Sequence, residues 1–317
     1  MVRLKAVYRE LCEAEPTIPL FSQAWWLDAV AGDDWDVVLA TKGQQVIGAL
    51  PFTIRKKWGF RLLTQPKLTQ TLGPWVRPTQ KSYPKQLAYE KDVLGALADQ
   101  LPTYDHYTQH WHCDRLNWLP FYWRGFEQTT RYTYRLAMLA DKEKLWKGLQ
   151  QNIRNDIRKA KERAGVEVRE GTLDEFLDLN RMVFERQNRA VPYTREFVVG
   201  LDAAASAHNV RDCLVAVDPE GRLHAGAYIV RSGNTAYYLM GGSDPELRNS
   251  GATSLVLWEA ICRQPASVEV FDFEGSMIEP IERFFRAFGA VQTPYFTVSK
   301  TNSNLLKVYR LMQALKR

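Results

Sequence analysis

Cysteine is sparse. Cys12, Cys113, Cys213 and Cys262 are scattered over 317 residues, and no Cys-x-x-Cys pair occurs. That spacing excludes a disulfide framework and a zinc ribbon, and it fits a reducing compartment. Histidine is also scarce, with five residues. His106, His110 and His112 share one strand parity, beside Cys113 and Asp114. Ligands spaced by four and two along one strand lie roughly 7 to 14 Å apart, too far for one ion, so no metal is expected. Long apolar runs are missing too. No window approaches the ~18 apolar residues of a membrane span, and the opening MVRLKAVYRELCEAEP lacks the apolar core of a secretory signal. The expectation is a cytoplasmic protein with no transmembrane segment. Charge of one sign is only slightly in excess, with a net +6 and pI ≈ 9.0. This suits a phosphate-bearing partner such as a nucleotide, a CoA, an RNA or a lipid diphosphate, and equally a solvated basic surface. Nothing in it calls for DNA.

What the chain does have is length, aromatics and internal order. At 317 residues it is about twice a usual domain. Ten tryptophans supply rings for cores or for grooves. Alternating segments predict strands over 4–9, 36–41, 46–55, from Arg61, and over 104–112 and 129–138. Helical spacing predicts helices over 21–31, 87–101 and 119–126. From Asp141 one long helix is expected, its buried stripe made of Leu145, Leu149, Ile153, Ile157, Ala160 and Ala164, stopped by Gly165. Beyond it come a strand at 166–169, helices at 173–187 and 194–207, and strands at 212–217, 224–231 and 235–240. A helix at 251–263, a strand at 267–273, a helix at 281–288, a strand at 294–300 and a helix at 304–315 close the chain.

The element order repeats, and so do short strings. Trp123-Arg124-Gly125-Phe126 lies against Phe285-Arg286-Ala287-Phe288, and Asp36-Val37-Val38-Leu39-Ala40 against Asp212-Cys213-Leu214-Val215-Ala216. At the offset of the first pair, His110 and His112 fall opposite Asp272 and Glu274. Shared order points to a duplication. The expected division is 1–131 for a first domain that shapes an acceptor cleft, 132–300 for a second that handles a donor, and 301–317 for a helix packing back on the first.

Three stretches of the second copy carry chemistry. Asp244-Pro245-Glu246-Leu247-Arg248-Asn249-Ser250-Gly251-Ala252-Thr253 joins a strand to an apolar helix, and a helix start reached through small residues offers amides to a phosphate. The residues expected to hold donor phosphates there are Arg248, Asn249, Ser250, Gly251 and Ala252. In Phe271-Asp272-Phe273-Glu274, alternation puts both carboxylates on one side at a strand's C-terminal end. Either carboxylate can take a proton from an attacking amine. Arg154, Arg158 and Lys161 share one helix face and suit a phosphate or simply solvent. In the first copy, Trp25, Trp26, Arg55 and Lys56 are the candidates for substrate binding. Trp111, Trp118, Tyr122 and Trp123 read as core or as the lining of a cleft.

Arg248-x-x-Gly251-x-Thr253 resembles the Arg/Gln-x-x-Gly-x-Gly/Ala loop with which GCN5-related N-acetyltransferases (GNAT) hold the CoA pyrophosphate, with Thr253 at the last position. With the Gly-Gly-Ser and Asp-Phe-Glu-Gly segments, the helix Ile281-Glu282-Arg283-Phe284-Phe285-Arg286-Ala287-Phe288-Gly289 and Tyr295, residues 133–300 resemble the FemABX family. Those proteins consist of two GNAT-like domains and build peptidoglycan bridges from aminoacyl-tRNA. Many carry a lysine where this chain has Phe285, and some carry a helical-hairpin insertion that this chain lacks. The resemblance implies an α/β (α+β) fold of two tandem GNAT-like domains, each a twisted mixed sheet flanked by helices. It implies acyl transfer to an amine acceptor from an acyl-CoA thioester, with no tightly bound cofactor. Two alternatives stand beside it: an aminoacyl-tRNA-dependent transferase acting on a cell-wall precursor, and a non-catalytic glycan or precursor-binding module. Amides around Tyr238, Met240, Gly241 and Gly242 would polarise the acyl carbonyl. Glu274 or Asp272 would carry the proton, and Tyr295 would donate a hydroxyl to the leaving group.

Overall fold

Buried apolar residues divide the chain before any boundary is drawn. A computed structural model describes residues 2–275 and 277–314. It folds as two compact units, Met1–Arg131 with Pro294–Arg317, and Tyr132–Thr293. Residues 294–300, expected with the second domain, therefore group with the first.

The first unit opens with α1 (Val2–Ala14) and α2 (Ala24–Ala31). The strand expected at 4–9 is thus helical. Leu4 and Tyr8 fit a helical stripe as well as an alternation, whereas Leu11 fits only the helix, and Tyr8 and Leu11 are buried by it. Strands β1 (Trp35–Lys42), β2 (Gln45–Lys57) and β3 (Phe60–Thr64) form an antiparallel meander, with the short β4 (Trp75–Val76) paired to β2. Helix α3 (Tyr83–Asp99) precedes β5 (His106–His110), which lies parallel to β3, and α4 (Leu119–Tyr122) follows. The sheet has both faces covered. Val37 and Leu39 of β1 enter one core with Tyr8, Leu27 and Trp75, while Val38 and Ala40 enter another with Leu50, Leu94 and Trp111. Trp26 is fully buried, its Nε1 donating to Thr69 Oγ1 at 3.1 Å. It is a core residue and offers no surface to a substrate.

The second unit takes up the C-terminal part of β6 (Glu127–Ala137), then α5 (Lys142–Gly148) and α6 (Gln151–Arg158). The single long helix expected from Asp141 is broken at Leu149 and Gln150, both extended (ψ 138° and 156°). Two interactions hold the break. Gln150 N–H donates to Ala287 O at 2.8 Å, and the Arg154 guanidinium donates to the carbonyls of Trp146, Lys147 and Leu149. The buried stripe survives because Leu145, Leu149, Ile153, Ile157 and Ala160 still face one core. After β7 (Glu167–Glu170), helix α7 (Leu173–Arg186) starts at a capping box of Thr172 and Glu175, and α8 (Arg195–Ala207) at Thr194. Strands β8 (Arg211–Val217), β9 (Leu223–Ser232) and β10 (Thr235–Ser243) repeat the antiparallel meander. Then come α9 (Ala252–Cys262), β11 (Val270–Asp272) parallel to β10, and α10 (Glu279–Arg286).

The sheet of each unit thus has the same pairing: a meander, then a parallel strand reached through a helix, then an antiparallel last strand. That last strand is exchanged. β6, which follows the first copy's helix, pairs with β11, while β12 (Val291–Thr301), which follows α10, pairs with β5. The chain ends in α11 (Asn304–Ala314); residues 315–317 of the expected last helix lie outside the described residues. Among the described residues no helix is long and apolar enough to cross a membrane. Replacing the buried Trp26 by alanine should cost about 3 to 5 kcal/mol of folding free energy, read from urea denaturation.

Candidate active site

Parallel pairing between β10 and β11 lasts three residues, from Thr235↔Val270 to Tyr237↔Asp272. Beyond Tyr237, β10 continues to Ser243 while the other chain turns away. Glu274 and Gly275 are both left-handed (φ 56° and 51°). A Cβ at residue 275 would stand 2.2 Å from Tyr132 O, so only glycine fits. β10 is also bent by a bulge, since Tyr238 pairs with Ile229 and Met240 with Tyr228, leaving Leu239 extra. Two strands therefore part at the C-terminal end of β11, and the edge of β10 carrying Tyr238, Met240, Gly241 and Gly242 loses its parallel neighbour there.

Asp272 and Glu274 stand where the strands part. The sequence predicts them on one side by alternation, but β11 ends at Asp272. It is the left-handed turn that brings Glu274 back, with its N–H donating to Asp272 Oδ1 at 2.8 Å. Asp272 is 6 % exposed, accepts the Thr133 hydroxyl, and has Arg135 Nε 3.6 Å from Oδ2. Both partners sit on β6. The Glu274 carboxyl is enclosed, and burial, then repulsion from Asp272, push its pKa well above the usual glutamate range. The two carboxyls therefore stand in different surroundings: Asp272 is held by donors, while burial favours the neutral form of Glu274.

The loop before α9 lies in the same unit. Arg248, Asn249 and Ser250 form one 3-10 turn, Gly251 is left-handed (φ 85°), and α9 begins at Ala252. A Cβ on Gly251 would lie 2.2 Å from Asp156 O of α6. Close approach of two helices thus accounts for this glycine. Ser250 Oγ accepts the Ala252 N–H at 3.3 Å and lies 2.9 Å from His224 Nδ1; His224 Nε2 lies 3.0 Å from Asp218 Oδ2. Burial alone would raise the Asp218 pKa, but hydrogen bonds from His224 and Arg222 hold it well below the carboxylate range. An ionised Asp218 only accepts, so Nε2 donates to it, while Nδ1 and the Ser250 hydroxyl form the second bond of the ring. This Asp218–His224–Ser250 chain fixes the loop. The sequence offered no signal for it, because its members lie on a turn, a strand and a loop.

Of the basic face of α6, Arg154 spends its donors on the α5 carbonyls and Lys161 pairs with Glu259 at 2.7 Å, while Arg158 is exposed beside the Trp146 ring. Phe285, where FemABX members often carry lysine, is buried and stacks on Phe273 at 5.0 Å; Tyr238 meets it edge-on at 6.1 Å. Arg286 turns to Glu282 at 2.8 Å. A cleft of ≈ 440 Å³, missed by sequence reading, opens between α7 and α8 and is lined by Asp174, Asp178, Asn180, Arg181, Tyr193 and Arg195. Buried Asn180 ties it to β10: Nδ2 donates to Gly241 O at 2.6 Å, and Oδ1 accepts from Tyr193 OH at 2.9 Å. Gly242 is required by contact with Leu179 and Asn180.

The remaining candidates belong to the first unit. Trp25 is half-buried against Trp26, and Arg55 and Lys56 are exposed on the β2–β3 hairpin. Tyr295 is 5 % exposed, accepts from Arg131 Nε at 3.2 Å and stands edge-on to His110. His112, Cys113 and Asp114 each bring one ligand atom within 4.8 Å of the others, although Asp114 N–H already donates to His112 Nδ1.

Residues 147–286 match the family described as Acetyltransferase (GNAT) domain. The matched stretch lies within the second unit and marks a GNAT domain there. No curated protein sequence matches the chain. Among solved structures, FemX is similar at 12% identity with a TM-score of 0.69, over 92% of this chain and 95% of that one. The C-terminal domain of a putative lysylphosphatidylglycerol synthetase from Agrobacterium fabrum is similar at 13% identity (TM-score 0.56; 98% and 96% covered). A tandem GNAT protein from the clavulanic acid biosynthesis pathway is similar at 11% (TM-score 0.54; 95% and 96%). These likenesses show a shared fold, along 92% of the chain with FemX and 95% with the tandem GNAT protein.

Two outcomes follow. Glu274 binds its proton more tightly folded than unfolded, so its contribution to stability is complete below the ordinary glutamate pKa and is lost as pH rises toward the folded value. Glu274→Gln should therefore melt higher than the parent protein at about pH 8 and equal to it at about pH 4. Gly251→Ala should cost about 2 kcal/mol or more, read from urea denaturation, because it meets both the Asp156 carbonyl and a left-handed backbone.

Proposed function

We propose that the second unit transfers an acyl group to an amine by direct attack. The observation that carries this reading is the parting of β10 and β11 with the Asp272–Glu274 pair at its mouth. An acyl carbonyl lying along the freed edge of β10 would receive backbone N–H groups from the stretch that holds Tyr238, Met240, Gly241 and Gly242, which stabilise the developing oxyanion. The amine nitrogen forms the new C–N bond, the bond from the carbonyl carbon to the leaving atom breaks, and the proton lost by nitrogen ends on that leaving atom. Glu274, in its ionised form, takes the amine proton; Asp272, fixed by Thr133 and Arg135, positions it. The cleft between α7 and α8, where Asp174 pairs with Arg195 and Asp178 with Arg181, would offer a polar acceptor both donors and carboxylates.

The donor we favour is an acyl-CoA thioester, its phosphates on the turn of Arg248, Asn249 and Ser250, the amides of Gly251 and Ala252, and Arg158. The start of an eleven-residue helix supports this. A second reading, an aminoacyl-tRNA donor serving a cell-wall precursor, is favoured by the likeness to FemX along 92% of the chain and by the packing role of Gly251.

Calorimetry with acetyl-CoA separates the two. Binding is expected, and silence at millimolar concentration rules out the thioester reading. With a turned-over amine in hand, Glu274→Gln should lower kcat about 100-fold or more and remove the rise of rate with pH. Unchanged turnover would reject Glu274 as the proton carrier. Saturable binding of a cell-wall precursor without turnover from either donor would instead identify a binding module.

A further inference from the structure

Helix α11 is scarcely packed. Among its described side chains Leu306 is buried, whereas Leu305 (69 %), Val308 (54 %), Leu311 (63 %) and Met312 (52 %) stand in solvent. At helical spacing, residues 305, 308, 309 and 312 fall on one face, while Lys307 and Arg310 lie on the far side, where Arg310 bonds the His106 ring. No Asp or Glu occurs from Asn304 to Ala314. Such a stripe is what soluble surfaces avoid.

The same patch continues onto the β2–β3 hairpin of the same unit. Trp58 is 70 % exposed at the tip, and its ring meets Tyr309 edge-on at 6.0 Å. Four cations, Arg55, Lys56, Lys57 and Arg61, surround it, again with no acidic residue between positions 51 and 64. Lys57 lies over the indole at 4.4 Å. An apolar stripe, a protruding tryptophan and a rim of one sign are thus contiguous.

Charge decides what covers this patch. A second copy using the same face would bring these cations against their own counterparts. A surface of negative phosphates over hydrocarbon satisfies both parts: the rings and aliphatic chains enter the headgroup–acyl boundary while Lys and Arg stay at the phosphates. We propose that α11 and the tip of the β2–β3 hairpin form a docking surface for an anionic lipid bilayer, with Trp58, Leu305, Val308 and Met312 inserting and Arg55, Lys56 and Lys57 meeting lipid phosphates. This rests on the first unit alone and is independent of the acyl donor.

The test is co-sedimentation of the full chain with vesicles of phosphatidylcholine, with and without phosphatidylglycerol. Binding is expected only to the vesicles containing phosphatidylglycerol, and it should weaken as salt is raised. The double variant Leu305→Glu/Met312→Glu, and separately Lys56→Glu/Lys57→Glu, should each lower the partition coefficient about tenfold or more. Thermal melting establishes that both remain folded, and the hairpin variant, which changes only exposed side chains, keeps the test valid if the helix variant unfolds. No partition into anionic vesicles, or equal partition by the folded variants, overturns the proposal. So does light scattering that finds a dimer which Leu305→Glu/Met312→Glu dissociates, since the face would then be covered by a second copy.

Discussion

The tight packing of Glu274 and Gly275 against the backbone of Tyr132 and Thr133 fixes most of what the second unit can do. Parallel strands that stayed paired would satisfy each other's amides and leave no free edge. Here the ladder between β10 and β11 stops after Asp272, because two successive left-handed residues swing the chain off the sheet. Such a conformation is uncommon for a residue with a side chain and persists only where the surroundings enforce it. The enforcement comes from β6, whose Tyr132 carbonyl leaves no room for a Cβ at residue 275 and whose Thr133 hydroxyl holds Asp272. The same turn encloses the Glu274 carboxyl, so the geometry that opens the strands also raises the affinity of that group for its proton.

The phosphate-loop resemblance takes on a second meaning in three dimensions. Gly251 lets α9 start against the backbone of α6, and the Asp218–His224–Ser250 chain pins the turn before it. Neither interaction involves a ligand. Both set the direction in which the first amides of α9 point, and preorganisation of this kind lowers the ordering cost of anion binding. A loop can therefore look like a binding motif in sequence while its glycine is explained by packing; the two roles are compatible, because packing is what aims the amides.

Periodicity made the second copy's meander, its central helix and its buried stripe legible, since each segment buries one face at a regular interval. Three features escaped for physical reasons. The α5–α6 break leaves the apolar stripe intact, so no interruption of the pattern marks it; only Arg154 and Gln150, reading as ordinary helical polar residues, hold it open. The opening helix α1 is short enough for Leu4 and Tyr8 to satisfy either period. Trp26 read as a groove residue because composition cannot tell a ring hydrogen-bonded to Thr69 in a core from one facing a ligand. The proximity of Asp272 and Glu274 was legible in the sequence, but its cause was a turn and not a pleat.

The two units share scaffolding more than chemistry. In both copies the strand that lies parallel to the meander ends in a polar residue that pairs with a threonine of the antiparallel last strand: Asp272 with Thr133, and His110 Nδ1 with Thr297 Oγ1 at 2.8 Å. Exchange of the last strands means that each of these threonines is supplied by the chain segment leaving the other copy's final helix. The equivalent positions have diverged in charge. Burial and the neighbouring Arg131 bring the His110 pKa down to about 4, so near neutrality its ring is uncharged. Where the second copy runs from β10 through the Gly251 turn into α9, the first inserts Leu72, Gly73 and Pro74 and the short β4 before α3. Gly73 is filled by the Trp111 ring, which stands 2.6 Å from where its Cβ would be. The first unit thus has a neutral imidazole where the second has a carboxylate pair and a tryptophan-packed turn where the second has a glycine turn, while the meander, the parallel strand and the last strand pair alike in both.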